Sequence, residues 1–461
     1  MGKAQTLVVT RMSVMGGWAE HYRKWAPHLK VMVMDRKNRT SFVEGFQKGR
    51  ADVYITHWAA LRLMPELKKV HWFLVTADEA HAIKNRKAIQ TVEFKKISTD
   101  HKLGLSGTPA DNRPDDLWSL LNWLYPKTFT SYWGFYNTHV LFREVVNEYT
   151  GRRYREILGV AEEERLHKLI EPIFIRRLKE DVIPDLPDKY YTTVWVDLDT
   201  KQRAAYNQMR YDMLAWVGEH QDQPMAAPVV IAQLNRLQQF ACAYGQIVTK
   251  IKRTRNCEEC QPQYCCEDDE EPRRRRYCPE HKDVFLPCKG HEFEVLQLID
   301  PSSKLDATVE IIEDNENEQI VVFAQSKQVI NMLCARLEKK KISVAKLTGD
   351  TKQQDRDGLI DGFQAGKYRV FAATIRAGGE GITLTAARTV IFVDRDWSPS
   401  KNKQTEDRLH RIGQKNAVQV IDLVARDTVD LGRIQQIQLK WSWLQKLLGD
   451  KNIEQVKLLE E

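Results

Sequence analysis

The chain lacks long apolar runs. Nowhere in its 461 residues does a hydrophobic stretch approach the ~20 residues needed to cross a bilayer, so no membrane partner is expected. The opening segment, Met1 to Thr10, holds too few consecutive apolar residues for a secretory leader. A cytoplasmic location is the expectation: nucleoid-associated, or host cytoplasm for a viral source. No segment recurs at a period of roughly 20–50 residues, which argues against repeat architectures. Cysteine is scarce outside one stretch, since six of the eight lie between Cys257 and Cys288. Such clustering in an intracellular chain favours a metal over a disulfide framework.

What is present reads as a soluble globular chain, with 42% apolar and 29% charged residues and a length that suits about two to four domains. The formal net charge of +7 is compatible with a polyanionic partner, and equally with a slightly basic solvated surface. Short β-branched runs at Thr6 to Thr10, Val53 to Thr56 and Phe73 to Thr76 alternate with charged helical segments, which predicts a parallel sheet with crossover helices. A second region of this kind has strand candidates at Ile320 to Ala324, Val344 to Leu347, Val370 to Ala373, Val390 to Val393 and Val418 to Leu423. Residues 126–180 and 200–250 read as largely helical. Asp185-Leu186-Pro187-Asp188-Lys189 reads as a linker because proline interrupts both helix and sheet.

Three segments carry chemistry. An apolar strand ends in Asp78-Glu79-Ala80-His81. At the carboxyl end of a sheet strand, one acid can hold Mg²⁺ through water and the next can activate an attacking water; an exposed acidic turn is the bland reading. Gln404-Thr405-Glu406-Asp407-Arg408-Leu409-His410-Arg411-Ile412-Gly413-Gln414 puts two arginines three residues apart, which on a helix would point them the same way, toward the charge of a transferring phosphoryl group. Between them, Ala377-Gly378-Gly379-Glu380-Gly381 is a glycine-dense turn whose backbone N–H groups suit phosphate.

These segments, with Leu105-Ser106-Gly107-Thr108-Pro109, Asp116 to Leu124, Phe174-Ile175-Arg176-Arg177, Ser303-Lys304-Leu305-Asp306 and Asp394-Arg395-Asp396-Trp397-Ser398-Pro399, resemble in order and spacing the Swi/Snf-type ATPases of helicase superfamily two. The resemblance runs over nearly the whole chain. It implies an α/β fold of two RecA-like parallel-sheet lobes with helical protrusions, ATP and Mg²⁺ in the cleft, and double-stranded DNA across both lobes. Asp78, Glu79 and His81 would handle metal and water, and Arg408 and Arg411 would reach the γ-phosphate. Gln404 would couple lobe closure to ATP. Ser106, Gly107, Thr108, Gly379 and Gly381 would relay nucleotide state. DNA backbone contacts are expected at Thr10, Arg11 and Thr56 in lobe one, and at Thr348, Gly349, Thr351, Arg356 and Thr374 in lobe two. The chain divides accordingly into 1–125 (lobe one), 126–188 (helical protrusion and linker), 189–250 (start of lobe two and helical protrusion), 251–295 (Cys/His insert), 296–438 (lobe two) and 439–461 (helical brace).

One element of that family is not found. The pattern Gly-x4-Gly-Lys-Ser/Thr, which cradles phosphates at the start of a helix, occurs nowhere in the sequence. Gly2-Lys3 runs straight into a strand, and Ala4 offers no hydroxyl to magnesium. The expectation is an upstream phosphate-binding segment supplied by a longer gene product or a separate polypeptide. The alternative is a non-hydrolysing, zinc-containing DNA-binding relic. In the Cys/His insert, Cys257-x2-Cys260 followed by Cys278-x2-His281 has zinc-ribbon spacing. Cys288-x2-His291 offers a third ligand pair, so Zn²⁺ is expected there.

Overall fold

The computed structural model describes residues 4–35, 37–110, 112–146, 153–219, 227–252, 291–379 and 381–448. Lobe one is a five-stranded parallel sheet in the order β2-β3-β1-β4-β5. It is built from β1 (Thr6–Thr10), α1 (Met15–Trp25), β2 (Val31–Val33), α2 (Arg39–Gln47), β3 (Val53–His57), β4 (Trp72–Asp78), α3 (Ile89–Lys95), β5 (Thr99–Leu105) and α4 (Asp116–Leu124). The expected strands are all present. Their alternating side chains feed two cores. On one face Leu7, Val9, Tyr54, Val75 and Ala77 pack with Phe42 and Phe46 of α2, Phe94 of α3 and Leu120 and Trp123 of α4. On the other, Val8, Val53 and Ile55 pack under Met15 and Ala19 of α1.

The middle region departs from the helical expectation. After α5 (Tyr132–His139), the chain forms an antiparallel hairpin of β6 (Val140–Val146) and β7 (Arg153–Val160), then α6 (Glu163–Ile170) and the short α7 (Lys179–Val182). The physical reason is cross-strand pairing. Valines and aromatics suit a pleated surface, and Arg143 meets Glu156 at 2.5 Å while Arg155 meets Glu144 at 3.5 Å.

Lobe two begins at β8 (Lys189–Val196), followed by α8 (Thr200–Glu219) and α9 (Ala227–Cys242). The expected helical stretch ends early, because β9 (Tyr244–Lys252) pairs antiparallel with β10 (His291–Ile299). The remaining elements are α10 (Ser303–Asp314), β11 (Ile320–Ala324), α11 (Lys327–Lys339), β12 (Val344–Leu347), α12 (Gln353–Gln364), β13 (Val370–Thr374), α13 (Ile375–Gly378), β14 (Thr389–Phe392), α14 (Pro399–Glu406), β15 (Val418–Ala425) and α15 (Val429–Leu448). The sheet order is β12-β13-β11-β14-β15-β8, all parallel. Strands β11, β13 and β14 are buried along their full length, as parallel strands covered on both faces must be. Helix starts follow from sequence. The Ser302, Ser326 and Ser398 hydroxyls accept from Leu305, Gln328 and Lys401 backbone N–H groups, and Pro399 opens α14.

Helix α15 is anchored at both ends. Its first turns bury Asp430 and Arg433 in lobe two. Its last turns place Trp441, Leu444, Leu447 and Leu448 against Leu117, Trp118 and Leu121 of α4 and Leu166 and Ile170 of α6. Midway, Lys440 Nζ donates to Asn112 Oδ1 at 3.1 Å and to the Trp397 carbonyl at 3.0 Å. Among the described residues no helix is long and apolar enough to cross a membrane.

Candidate active site

Strand β4 carries Asp78 to its carboxyl end, where the chain turns sharply. Glu79 adopts the left-handed conformation (φ 50°), uncommon for a residue with a side chain and often found where a site over-determines the backbone. The Asp78 carboxylate is held firmly. Its Oδ2 accepts from Thr10 Oγ1 at 2.6 Å and from Trp18 Nε1 at 2.8 Å, and its Oδ1 accepts from the Glu79 N–H at 3.0 Å. Trp58 Nε1 donates to the Asp78 carbonyl at 3.0 Å. Neither tryptophan was legible as part of the site, because sequence spacing says nothing about partners sixty and twenty residues away.

Glu79 Oε2 is buried and lies 3.2 Å from His81 Nδ1. Burial pushes the Glu79 carboxyl up. The hydrogen-bonding reach of His81, with the charges of His81, Arg11 and Arg408, outweighs that and holds it below the ordinary value. His81 is a hub. Its Nε2 is 3.2 Å from Arg11 Nη2 and its Nδ1 is 3.4 Å from Ser106 Oγ. Ser106 Oγ in turn accepts from the Thr108 N–H at 3.2 Å. A continuous polar path thus runs from Glu79 through His81 and Ser106 to Thr108, past Gly107.

Across the cleft, α14 stops at Glu406, so Arg408 and Arg411 lie in turns and not on one helix face. The cause is a buried charge network at the helix end. Arg395 grips Asp422 through two hydrogen bonds of 2.5 and 2.8 Å, and Glu406 through a third of 2.6 Å. Lys189 meets Glu406 at 2.9 Å, Tyr191 donates to Glu406 at 2.9 Å, and Lys179 meets Asp407 at 2.8 Å. The two arginines therefore diverge. Arg408 Nη2 donates to the Gly379 carbonyl at 2.6 Å, while its Nε is buried without a partner. Arg411 Nη1 turns to Thr383 Oγ1 at 3.2 Å. Burial, then the neighbouring Arg411, lowers the Arg408 pKa; Asp407 and Glu79 oppose this. Gln404 is half-buried on α14.

The glycine-dense turn is required by close approach. A Cβ on Gly379 would lie 2.8 Å from the Ile375 carbonyl oxygen, and at Gly381 it is the backbone, at φ +69°, that favours glycine. Of the residues expected at DNA, Thr10 and Thr56 are fully buried. Thr10 spends its hydroxyl on Asp78, and Thr56 donates to Met34 Sδ at 3.3 Å. In lobe two, Thr348 N donates to Thr351 Oγ1 at 3.0 Å, which tightens a turn that exposes Gly349. Arg356 lies over the same turn, and Thr374 stands at the start of α13 without a side-chain capping bond. Cys257, Cys260, Cys278, His281 and Cys288 lie outside the described residues. His291 opens β10, where its backbone pairs with Lys252. Among the described residues no group of three or more His, Cys, Asp or Glu side chains could hold a metal.

Of the two parallel-sheet lobes, one carries the paired acids Asp78 and Glu79 and the other a buried arginine, Arg408, whose Nε has no hydrogen-bond partner. A family model described as the SNF2-related domain matches residues 1–263, and one described as the helicase conserved C-terminal domain matches residues 303–413. The chain belongs to the SNF2-related family. It is 29% identical over 446 residues to the transcription regulatory protein SNF2 of Saccharomyces cerevisiae, covering 92% of this chain and 23% of that one. It is 27% identical over 445 residues to the SWI/SNF-related matrix-associated actin-dependent regulator of chromatin subfamily A member 1 of Mus musculus, covering 94% and 38%. The chain thus spans well under half the length of these relatives. A solved structure, the Sulfolobus solfataricus SWI2/SNF2 ATPase core in complex with dsDNA, is 24% identical and covers 96% of this chain and 86% of its own, with a TM-score of 0.37; an overlap that loose carries no conclusion about this chain.

Proposed function

We propose that this chain is the motor portion of a DNA-dependent ATPase that acts on duplex DNA, with its phosphate-binding loop supplied by polypeptide outside these 461 residues, in the same gene product or in trans. The observation that carries the reading is that Arg408 Nε is buried on lobe two without a hydrogen-bond partner, while the charge of Glu79, on lobe one with its Oε2 3.2 Å from His81 Nδ1, acts on it. Orphaned buried polar atoms are costly. An acceptor on one wall and a cationic donor on the other are what a water and a phosphoryl group would satisfy. Mg²⁺ keeps most of its waters and needs only one or two carboxylates besides phosphate oxygens, so Asp78 suffices as the metal-side residue. ATP and Mg²⁺ would supply the phosphoanhydride and charge neutralisation. Glu79 would orient and accept a proton from the attacking water, and Arg408 would hold developing charge, with Arg411 and Gln404 behind it. His81, Ser106, Gly107 and Thr108 would pass the state of the cleft toward DNA.

The turn at Thr348, Gly349 and Thr351, with Arg356 and Thr374, would hold DNA phosphates without base readout, helped by Arg11 and by the turns after Thr10 and Thr56. The Cys/His set from Cys257 to His291 would hold Zn²⁺, whose preferred donors are thiolate and imidazole. A cytoplasmic, DNA-associated location goes with this reading. Phosphate release with duplex DNA, measured with and without a phosphate-loop segment, tests it. Turnover that appears with the segment and falls by about 100-fold or more in Glu79→Gln supports the reading. Intact DNA binding without turnover in either setting sinks it.

A further inference from the structure

Lobe one carries a cluster of aromatic rings and arginines that neither the acids nor the arginine turn puts to use. It is built on α5 and the β6–β7 pair, and two segments from the cleft reach it. Five residues past His81, the Arg86 guanidinium lies over the Tyr132 ring, 4.0 Å from its centre. Five residues past Thr108, Arg113 Nε donates to Asp115 at 2.8 Å, and Asp115 accepts the Tyr132 hydroxyl at 2.8 Å. Tyr132, fixed in this way, meets Trp133 edge to face with ring centres 5.1 Å apart, and Tyr136 meets it likewise at 5.7 Å. From β7, Arg155 adds a cation 5.7 Å from the Trp133 ring, 5.6 Å from Tyr136 and 4.4 Å from Phe142. Its Nη1 donates to Asn137 Oδ1 at 3.2 Å. Edge contacts and cation–π contacts therefore hold the indole in place. Trp133 is nonetheless 56% exposed, a large ring already ordered for whatever lies flat on it.

The charge around the ring selects the partner. Lys84, Arg86 and Lys87 fall in a stretch with no acid between Glu79 and Glu93. Arg86 and Trp133 share Tyr132 as a neighbour, at 4.0 and 5.1 Å, so at most about 9 Å separates cation and indole. The strand register places Arg153 on the same face as Arg155, and it is exposed. The acids beside the rings are already engaged: Asp115 with Arg113 and Tyr132, and Glu144 with Arg155 at 3.5 Å. Charged residues also interrupt the apolar ones along both strands, which does not suit the dry centre of a protein interface. Cations around an open aromatic face suit a nucleic-acid strand whose bases are free, because every base has a π-face and every nucleotide a phosphate. Inside a duplex those faces are stacked on their neighbours and closed to a side chain.

We propose that Trp133 is a stacking platform for an unpaired DNA base, with Arg86 and Arg153 taking flanking phosphates, so that the chain holds single-stranded DNA as well as duplex. The platform rests on the proposed function for the choice of DNA as the polyanion. Binding to the whole chain is read by fluorescence anisotropy with three labelled probes of about 16 units each. They are oligothymidine, an abasic strand that keeps the phosphates and lacks the bases, and a blunt duplex. Oligothymidine should bind about fivefold or more tighter than the abasic strand. Trp133→Ala should weaken oligothymidine by about 5- to 100-fold and leave the other two probes within about twofold. Trp133→Phe, which keeps a ring, should recover most of that loss. Arg86→Gln should weaken oligothymidine and the abasic strand alike, and lower the log–log salt slope by about 0.7. The abasic comparison uses the parent alone and holds whatever the variants do.

Equal affinity of the parent for oligothymidine and the abasic strand overturns the platform. So does a folded Trp133→Ala protein that binds oligothymidine like the parent, or that loses the blunt duplex to the same degree. Oligouridine bound more tightly than oligothymidine also overturns it, by assigning the surface to RNA. Absence of duplex binding with base-dependent affinity intact would leave the platform standing and remove duplex DNA from the proposed function. Duplex binding and DNA-stimulated phosphate release without base-dependent affinity would do the reverse.

Discussion

Glu406 is the test of whether buried charge holds the arginine turn. Its carboxylate is 3% exposed and meets Arg395 at 2.6 Å, Lys189 at 2.9 Å and the Tyr191 hydroxyl at 2.9 Å. Burial raises its pKa, yet Lys189, Arg395 and Lys403 pull it well below the carboxylate range. Glu406→Gln keeps the shape and removes the charge. Arg395 retains its two bonds to Asp422. Lys189, with a side chain only 8% exposed, is left with Asp407 at 3.8 Å. Removing one partner of a buried pair costs about 3–5 kcal/mol, because the other charge stays desolvated. For a unit of about 150–250 residues, that is a fall in Tm of roughly 6–20 °C. Differential scanning calorimetry reads it. The companion variant Lys189→Met removes the stranded cation. Combined with Glu406→Gln it should cost less than the two changes summed, by about 0.5–3 kcal/mol. A Glu406→Gln protein that melts within a degree of the parent, or a strictly additive double variant, refutes the account of α14 and of the placement of Arg408.

Other outcomes follow from the same structure. Glu406, Asp407 and Asp430 all have lowered pKa values, so their stabilisation is fully present above the unfolded carboxylate value of about 4 and is lost as pH falls through the lower folded values; burial also lowers the pKa values of His139 and His410, so Tm should begin to fall as pH drops through about 6.5 and fall further below about 4. Gly379→Ala should destabilise lobe two by about 1–3 kcal/mol, since the new Cβ meets a carbonyl oxygen that cannot move aside, and chemical denaturation should show a lower midpoint. Metal analysis of the purified chain should find at least one zinc, and Cys257→Ser with Cys260→Ser should remove it.

Much of the architecture was legible because β-branched runs in a parallel sheet are unambiguous. Ile320–Ala324 and Val344–Leu347 were placed to the residue. The pair β6 and β7 was not, because charged residues interrupt its apolar ones without a clear alternation and its ion pairs form only between strands. The helix expected at Arg408 and Arg411 failed for a similar reason. Local spacing favours a helix there, but Lys189, 217 residues away, joins Arg395 in drawing in Glu406, and the chain turns at once. The acids at Asp78 and Glu79 could be read from a strand end. The Thr10 and Trp18 donors that orient Asp78 could not, since only the sheet register brings β1 and β4 side by side.

The β9–β10 ribbon has an evolutionary consequence. Because His291 sits opposite Lys252, the two ends of whatever the ribbon carries emerge as neighbours, about 5 Å apart across one ladder rung. A cassette joined in this way can be swapped, lengthened or excised down to a two-residue turn with only a small entropic change in closing the loop, and the sheet it hangs from never has to re-register. Lobe two therefore offers a graft point at which new sequence can be tried without jeopardising the fold that bears it.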